Sequence, residues 1–183
     1  MTAALQAWGV GRVGLLIGAA VLLIETTATD QFLLPTFPDR LNGWALVPAL
    51  VALTMAEPLV DRSPDLTRHA TRSPVVIALA RLALAYAGAG AVAGYCLLSP
   101  DGRMVAAYVL AALSLAAGTV ALTGPWYWVP LLPISFAWLQ HAAGDFPRPT
   151  FAIPAPTLVA VVAGSCLAYV GASAVREEVQ RRQ

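Results

Sequence analysis

Lysine is absent from this chain, and charged residues of every kind make up only 11% of its 183 positions. A soluble domain carries roughly 25%, so a solvated globular surface is excluded, and an integral membrane protein remains. The eleven basic residues are all arginine, which reads as codon usage rather than chemistry. The net charge of +1 gives no sign of nucleic-acid binding, and there is no extended run of one sign of charge.

Cysteine and histidine are equally scarce, at two each. Cys96 and Cys166 stand far apart in apolar surroundings, without the spacing of a redox pair or a metal site. His69 and His141 are isolated from each other, and two separated ligands do not make a metal centre. No nucleophile elbow, phosphate loop or His-Glu-x-x-His occurs. The chain is therefore expected to be non-enzymatic, with no metal and no cofactor, and not to hydrolyse ATP itself.

What is abundant is apolar sequence, 58% of the chain with a mean hydropathy of +0.71. About twenty such residues cross the hydrocarbon of a bilayer. Six runs approach or reach that length, at about 13–34, 44–59, 75–98, 104–122, 126–141 and 157–175. The fold expected is all-α: one polytopic membrane domain over 1–183 with six transmembrane helices. The first run follows Arg12 as a signal peptide would, but continues too long and lacks a small-x-small cleavage site, so it reads as a retained span. Residues 1–11 could lie along the interface with Trp8 at headgroup depth, and Trp126-Tyr127-Trp128 reads as an aromatic belt. Residues 142–156 hold Pro147, Pro149, Pro154 and Pro156, too interrupted to span.

Six spans put both ends on one side of the membrane. That side would hold Arg12, Arg62, Arg68, Arg72, Arg176, Arg181 and Arg182, against Arg40, Arg103 and Arg148 on the other. The positive-inside bias then makes both termini cytoplasmic, in the plasma membrane.

Polar residues concentrate between the second and third runs, where Glu57, Asp61, Arg62, Asp65, Arg68, His69, Arg72 and Arg81 fall. Ser63 can cap a helix that begins at Pro64, and Asp65 complements its positive end before Pro74 stops it. Asp65 and His69 are four apart, as are Arg68 and Arg72, so the charges can share one face of a short amphipathic cytoplasmic helix. Such a loop either contacts a partner or only keeps two spans on the correct side. Glu57 and Arg81 each fall inside the flanking spans, where they can meet as an ion pair, or Arg81 can reach the surface.

Two acids fall in the first run. Measured at about 1.5 Å per residue from Arg12, Glu25 lies somewhat past the midplane and Asp30 near the far surface. An intramembrane carboxylate faces a neighbouring helix, a partner or a water-filled path; both the packed and the path reading stay open for Glu25. Ser135, Ser165 and Thr26 have no base beside them, and bonding back to their own helix is their ordinary role. Glycines such as Gly88, Gly90 and Gly94, or Gly164 and Gly171, suit close helix packing.

The Glu57-Pro58 start, the Arg68 and Arg72 helix, and the Thr71-Arg72-Ser73-Pro74 run into a span bearing Arg81 resemble small permease-like membrane proteins of actinobacterial ABC-2-type transporters. The local resemblance covers roughly 44–90. It implies a six-span domain whose loop between spans two and three is a coupling helix docked on a separate ATP-binding subunit, through Asp65, Arg68, His69 and Arg72. It implies pairing with a second membrane subunit, identical or different, and export of a hydrophobic peptide or lipid-like compound. The alternatives are a small proton- or ion-coupled secondary transporter using Glu25, and a structural subunit of a larger membrane complex.

Overall fold

Proline and glycine set the ends of the long helices. The computed structural model describes residues 10–27, 31–33, 40–60, 73–98, 102–142 and 152–181. Pro74 occupies the first turn of a helix entered from the extended Ser73, whose carbonyl accepts from the N–H groups of Val76 and Ile77. Gly124, at φ +59°, takes the left-handed conformation that ends another helix before Pro125.

Between such signals the described residues form six α-helices: α1 (Val10–Thr27), α2 (Gly43–Met55), α3 (Pro74–Cys96), α4 (Gly102–Thr123), α5 (Trp128–Ala142) and α6 (Ala155–Arg181). Single 3-10 turns follow α2 at Glu57–Leu59 and α4 at Gly124–Trp126. The only extended pairing among them is two residues a side, β1 (Gln31–Phe32) antiparallel to β2 (Leu41–Asn42). The first expected span, 13–34, is thus helical only to Thr27. Gln31–Phe32 are extended and pair with Leu41–Asn42, and Thr26 bonds back to the carbonyl of Leu22 at 2.8 Å.

Among the described residues three helices are long and apolar enough to cross a membrane, over Val75–Cys96, Gly102–Trp126 and Ala155–Arg176. The shorter apolar stretches are Val13–Thr26 and Gly43–Leu59. The charged helix expected at 63–73 lies outside the described residues except for Ser73, as do Asp30, Asp65, Arg68, His69 and Arg72. Residues 1–9 and 143–151 are outside them as well.

Helix α4 sits at the centre, packed against α2, α3 and α6, while α1 packs on α2 and α3, and α5 on α2. Its buried Val109, Leu113, Ala116, Ala117 and Val120 meet Ala85, Ala89 and Val92 of α3 and Val47, Val51 and Met55 of α2 in one apolar core. Pro48 lies inside α2 and removes one ladder bond there. In the same turn the Trp138 indole of α5 donates to the carbonyl of Ala45 at 2.8 Å.

At Gly88 of α3, side chains of α1 and α2 press against the backbone. A Cβ on it would stand 2.8 Å from Val13 Cγ1 and 3.0 Å from Met55 Cε. Val13 is stiff about χ1 and cannot swing away as Met55 can. Gly88→Ala should therefore cost about 1–3 kcal/mol of stability, read from thermal unfolding in detergent. Adding Val13→Ala should recover part of it. A single variant as stable as the parent would contradict this contact.

Candidate functional site

Polar side chains are few in the bundle, so their positions are informative. Tyr86 stands near the middle of α3, Ser114 near the middle of α4, and Ser165 in the apolar part of α6. The three hydroxyls meet: Tyr86 Oη lies 3.0 Å from Ser114 Oγ and 3.1 Å from Ser165 Oγ, and the Cys166 thiol lies beside it. Ser114 also reaches the carbonyl of Leu110 at 2.8 Å, and Ser165 that of Val162 at 2.9 Å.

Three hydroxyl hydrogens serve these four contacts. The chain can run from Ser165 through Tyr86 and Ser114 to Leu110, or from Ser114 through Tyr86 and Ser165 to Val162. Both orders leave every hydroxyl with a hydrogen bond. Joining α3, α4 and α6 in this way is a cross-helix clamp inside the three membrane-length helices.

Glu25 lies in the last turn of α1 with its side chain exposed on the protein surface, and accepts a hydrogen bond from the Tyr95 hydroxyl in the last turn of α3. The chain is extended by Gln31, so the helix that carries Glu25 ends within about two turns of it. The contact also makes α1 and α3 parallel, with their C-terminal ends at one height.

Glu57 opens the 3-10 turn after α2, and that turn packs on α3, the helix that carries Arg81. Both side chains are half-buried, and neither is without a partner. The buried Tyr169 of α6 donates to the carbonyl of Leu59 at 2.6 Å. This turn is thus held from two sides. At the end of α4, Arg176 Nη2 donates to the carbonyls of Val120 at 3.2 Å and Ala121 at 2.6 Å, placing a cation on the negative end of that helix. With that geometry in view, comparison with protein-family models, curated proteins and solved structures finds no match.

Sequence reasoning missed Tyr86, Tyr95, Ser114, Tyr169 and Arg176. A signal existed: a tyrosine within an apolar run needs a partner for its hydroxyl when buried, and Tyr86, Tyr95 and Tyr169 are all such residues. Ser165 does bond back to its own helix, as expected, but it also reaches across to α3.

Tyr86→Phe and Ser165→Ala should be coupled. Hydrogen bonds between membrane helices average about 0.6 kcal/mol and reach about 1.7 kcal/mol in double-mutant cycles, and the clamp should fall in that range in mixed-micelle unfolding. Strict additivity of the two variants would show that the hydroxyls act separately.

Proposed function

We propose that this chain is a non-enzymatic six-span membrane subunit of an ABC exporter, coupled to a separate ATP-binding subunit through the charged segment between α2 and α3. On this reading α1, α2 and α5 cross the membrane together with the three longer helices, and both termini are cytoplasmic. The exported compound is a hydrophobic peptide or lipid-like molecule, and the chain works beside a second membrane subunit, identical or different.

The observation that carries the reading is the anchoring at the two ends of the charged segment. On one side the Glu57–Leu59 turn rests on α3 and is bonded to Tyr169 of α6. On the other, Ser73 is bonded directly into the first turn of α3. A force applied between these anchors would enter α2, α3 and α6 together, as a coupling helix requires. Asp65, Arg68, His69 and Arg72 are the residues that would meet the ATPase, and an ion pair between Glu57 and Arg81 would stiffen the base of the segment. The resemblance over 44–90 supports the same assignment.

A second reading, a small proton- or ion-coupled transporter, draws on the carboxylate of Glu25 hydrogen-bonded by Tyr95. Detergent extraction with the native neighbours distinguishes the readings. A soluble ATPase should co-purify with the chain and be lost from the Arg68→Glu, Arg72→Glu double variant. No ATPase, together with flux by the isolated chain that Glu25→Gln abolishes, would replace the exporter by the second reading. A stable membrane assembly with neither property would make the chain a structural subunit.

A further inference from the structure

We propose that the turn joining α4 to α5, together with Arg176 of α6, holds the phosphate of an anionic membrane phospholipid. This goes beyond the exporter reading and does not depend on it; it needs only that α4 and α6 cross the bilayer.

An arginine carries five N–H donors in a rigid fork. Both described hydrogen bonds of Arg176 come from one nitrogen, Nη2, to the carbonyls of Val120 and Ala121. Those bonds fix the plane of the guanidinium against the end of α4, while the residue as a whole remains exposed. The guanidinium as a whole packs against Gly124, its Nη1, Nη2 and Cζ standing 3.7, 3.8 and 3.9 Å from where a Cβ on that residue would lie. With Nη2 committed to the two carbonyls, Nη1 and Nε are the part of the fork that a ligand can use. A phosphodiester accepts N–H bonds from such donors, and the charge assistance makes them strong.

The surroundings select a lipid over a free anion. This is the end of a membrane-length helix, the depth at which headgroups lie. Trp126 and Trp128 stand exposed on the same turn with their rings 5.9 Å apart, the amphipathic side chains that favour that depth. Leu122, 86% exposed, presents an apolar shoulder less than one helical turn before Gly124. A cationic fork beside exposed indoles and an apolar shoulder matches an amphiphile, whereas inorganic phosphate could use only the fork. Glu178, two residues on, points about 200° around α6 from Arg176 and so does not share that edge.

Native mass spectrometry of the full chain released from detergent, titrated with phosphatidylglycerol, phosphatidylcholine or inorganic phosphate, tests this. The parent chain should retain one phosphatidylglycerol about tenfold or more better than Arg176→Gln, the scale of a lost charge-assisted hydrogen bond. It should prefer that lipid to phosphatidylcholine, and excess inorganic phosphate should not displace it. Arg176→Lys, which keeps the charge but not the fork, should fall between. Equal retention by the parent and Arg176→Gln would overturn the proposal, and so would displacement by inorganic phosphate. If Arg176→Gln does not fold, Trp126→Ala, at a side chain 61% exposed, decides: it should lose lipid with an unchanged melting temperature, and unchanged retention would sink the site.

Discussion

Helix α4 is touched by α2, α3 and α6 at once, and the rest of the structure follows from that crowding. Lipid tails are as apolar as leucine, so burying α4 among apolar helices gains little from the hydrophobic effect; close contact has to supply the stability instead. Its buried set includes Ala106, Ala116, Ala117 and Ala121, small enough for neighbouring helices to approach on several sides. A surrounded helix then has two demands that water cannot meet. Its buried Ser114 needs a partner across the interface, which Tyr86 provides, and its last carbonyls need donors, two of which Arg176 serves.

The unequal lengths of the helices have a consequence for where charge can sit. The approach of Val13 and Met55 to Gly88 puts the beginning of α1 and the end of α2 at one height on α3. That height is fourteen residues, about 21 Å, from the start of α3 at Pro74. The first half of α3 therefore extends past the described start of α1 and past the end of α2 at Met55. Arg81 belongs to that half, and the Glu57–Leu59 turn packs against the same helix. Half-buried charges are tolerable there because each charge has a partner.

The all-helical fold was legible from composition and from the six apolar runs, and several helix ends were legible from single residues. Ser73-Pro74 and Gly124-Pro125 each mark a boundary by a local rule that needs no partner. The end of α1 was harder to read, because the apolar run resumes at Phe32-Leu33-Leu34 and only the pairing with Leu41–Asn42 explains the break. The clamp and the tyrosine bonds were not legible in position. Tyr86 and Ser165 are 79 residues apart and Leu59 and Tyr169 are 110 apart, and hydrophobic periodicity carries no information about which distant hydroxyl meets which. The charged segment, the most informative stretch by composition, lies outside the described residues, so its chemistry rests on the sequence and on the two anchors beside it.

Helix α6 brings these strands together. One side of it, with Cys166, Tyr169, Val170 and Ala172, packs on the core while Val159, Leu167, Val175 and Val179 turn outward, and small apolar side chains alone fix its rotation about its own axis only loosely. Three of its polar side chains fix it further: Ser165 on Tyr86, Tyr169 on Leu59, and Arg176 on the end of α4. At about 100° per residue these three lie within about 40° of one another around the helix, a single polar seam along an apolar rod. In a medium where every outward face is equally comfortable, that seam is what distinguishes one rotation from the next. The same seam touches α3, α4 and the turn after α2, so a rotation of α6 would have to break contacts to all three at once.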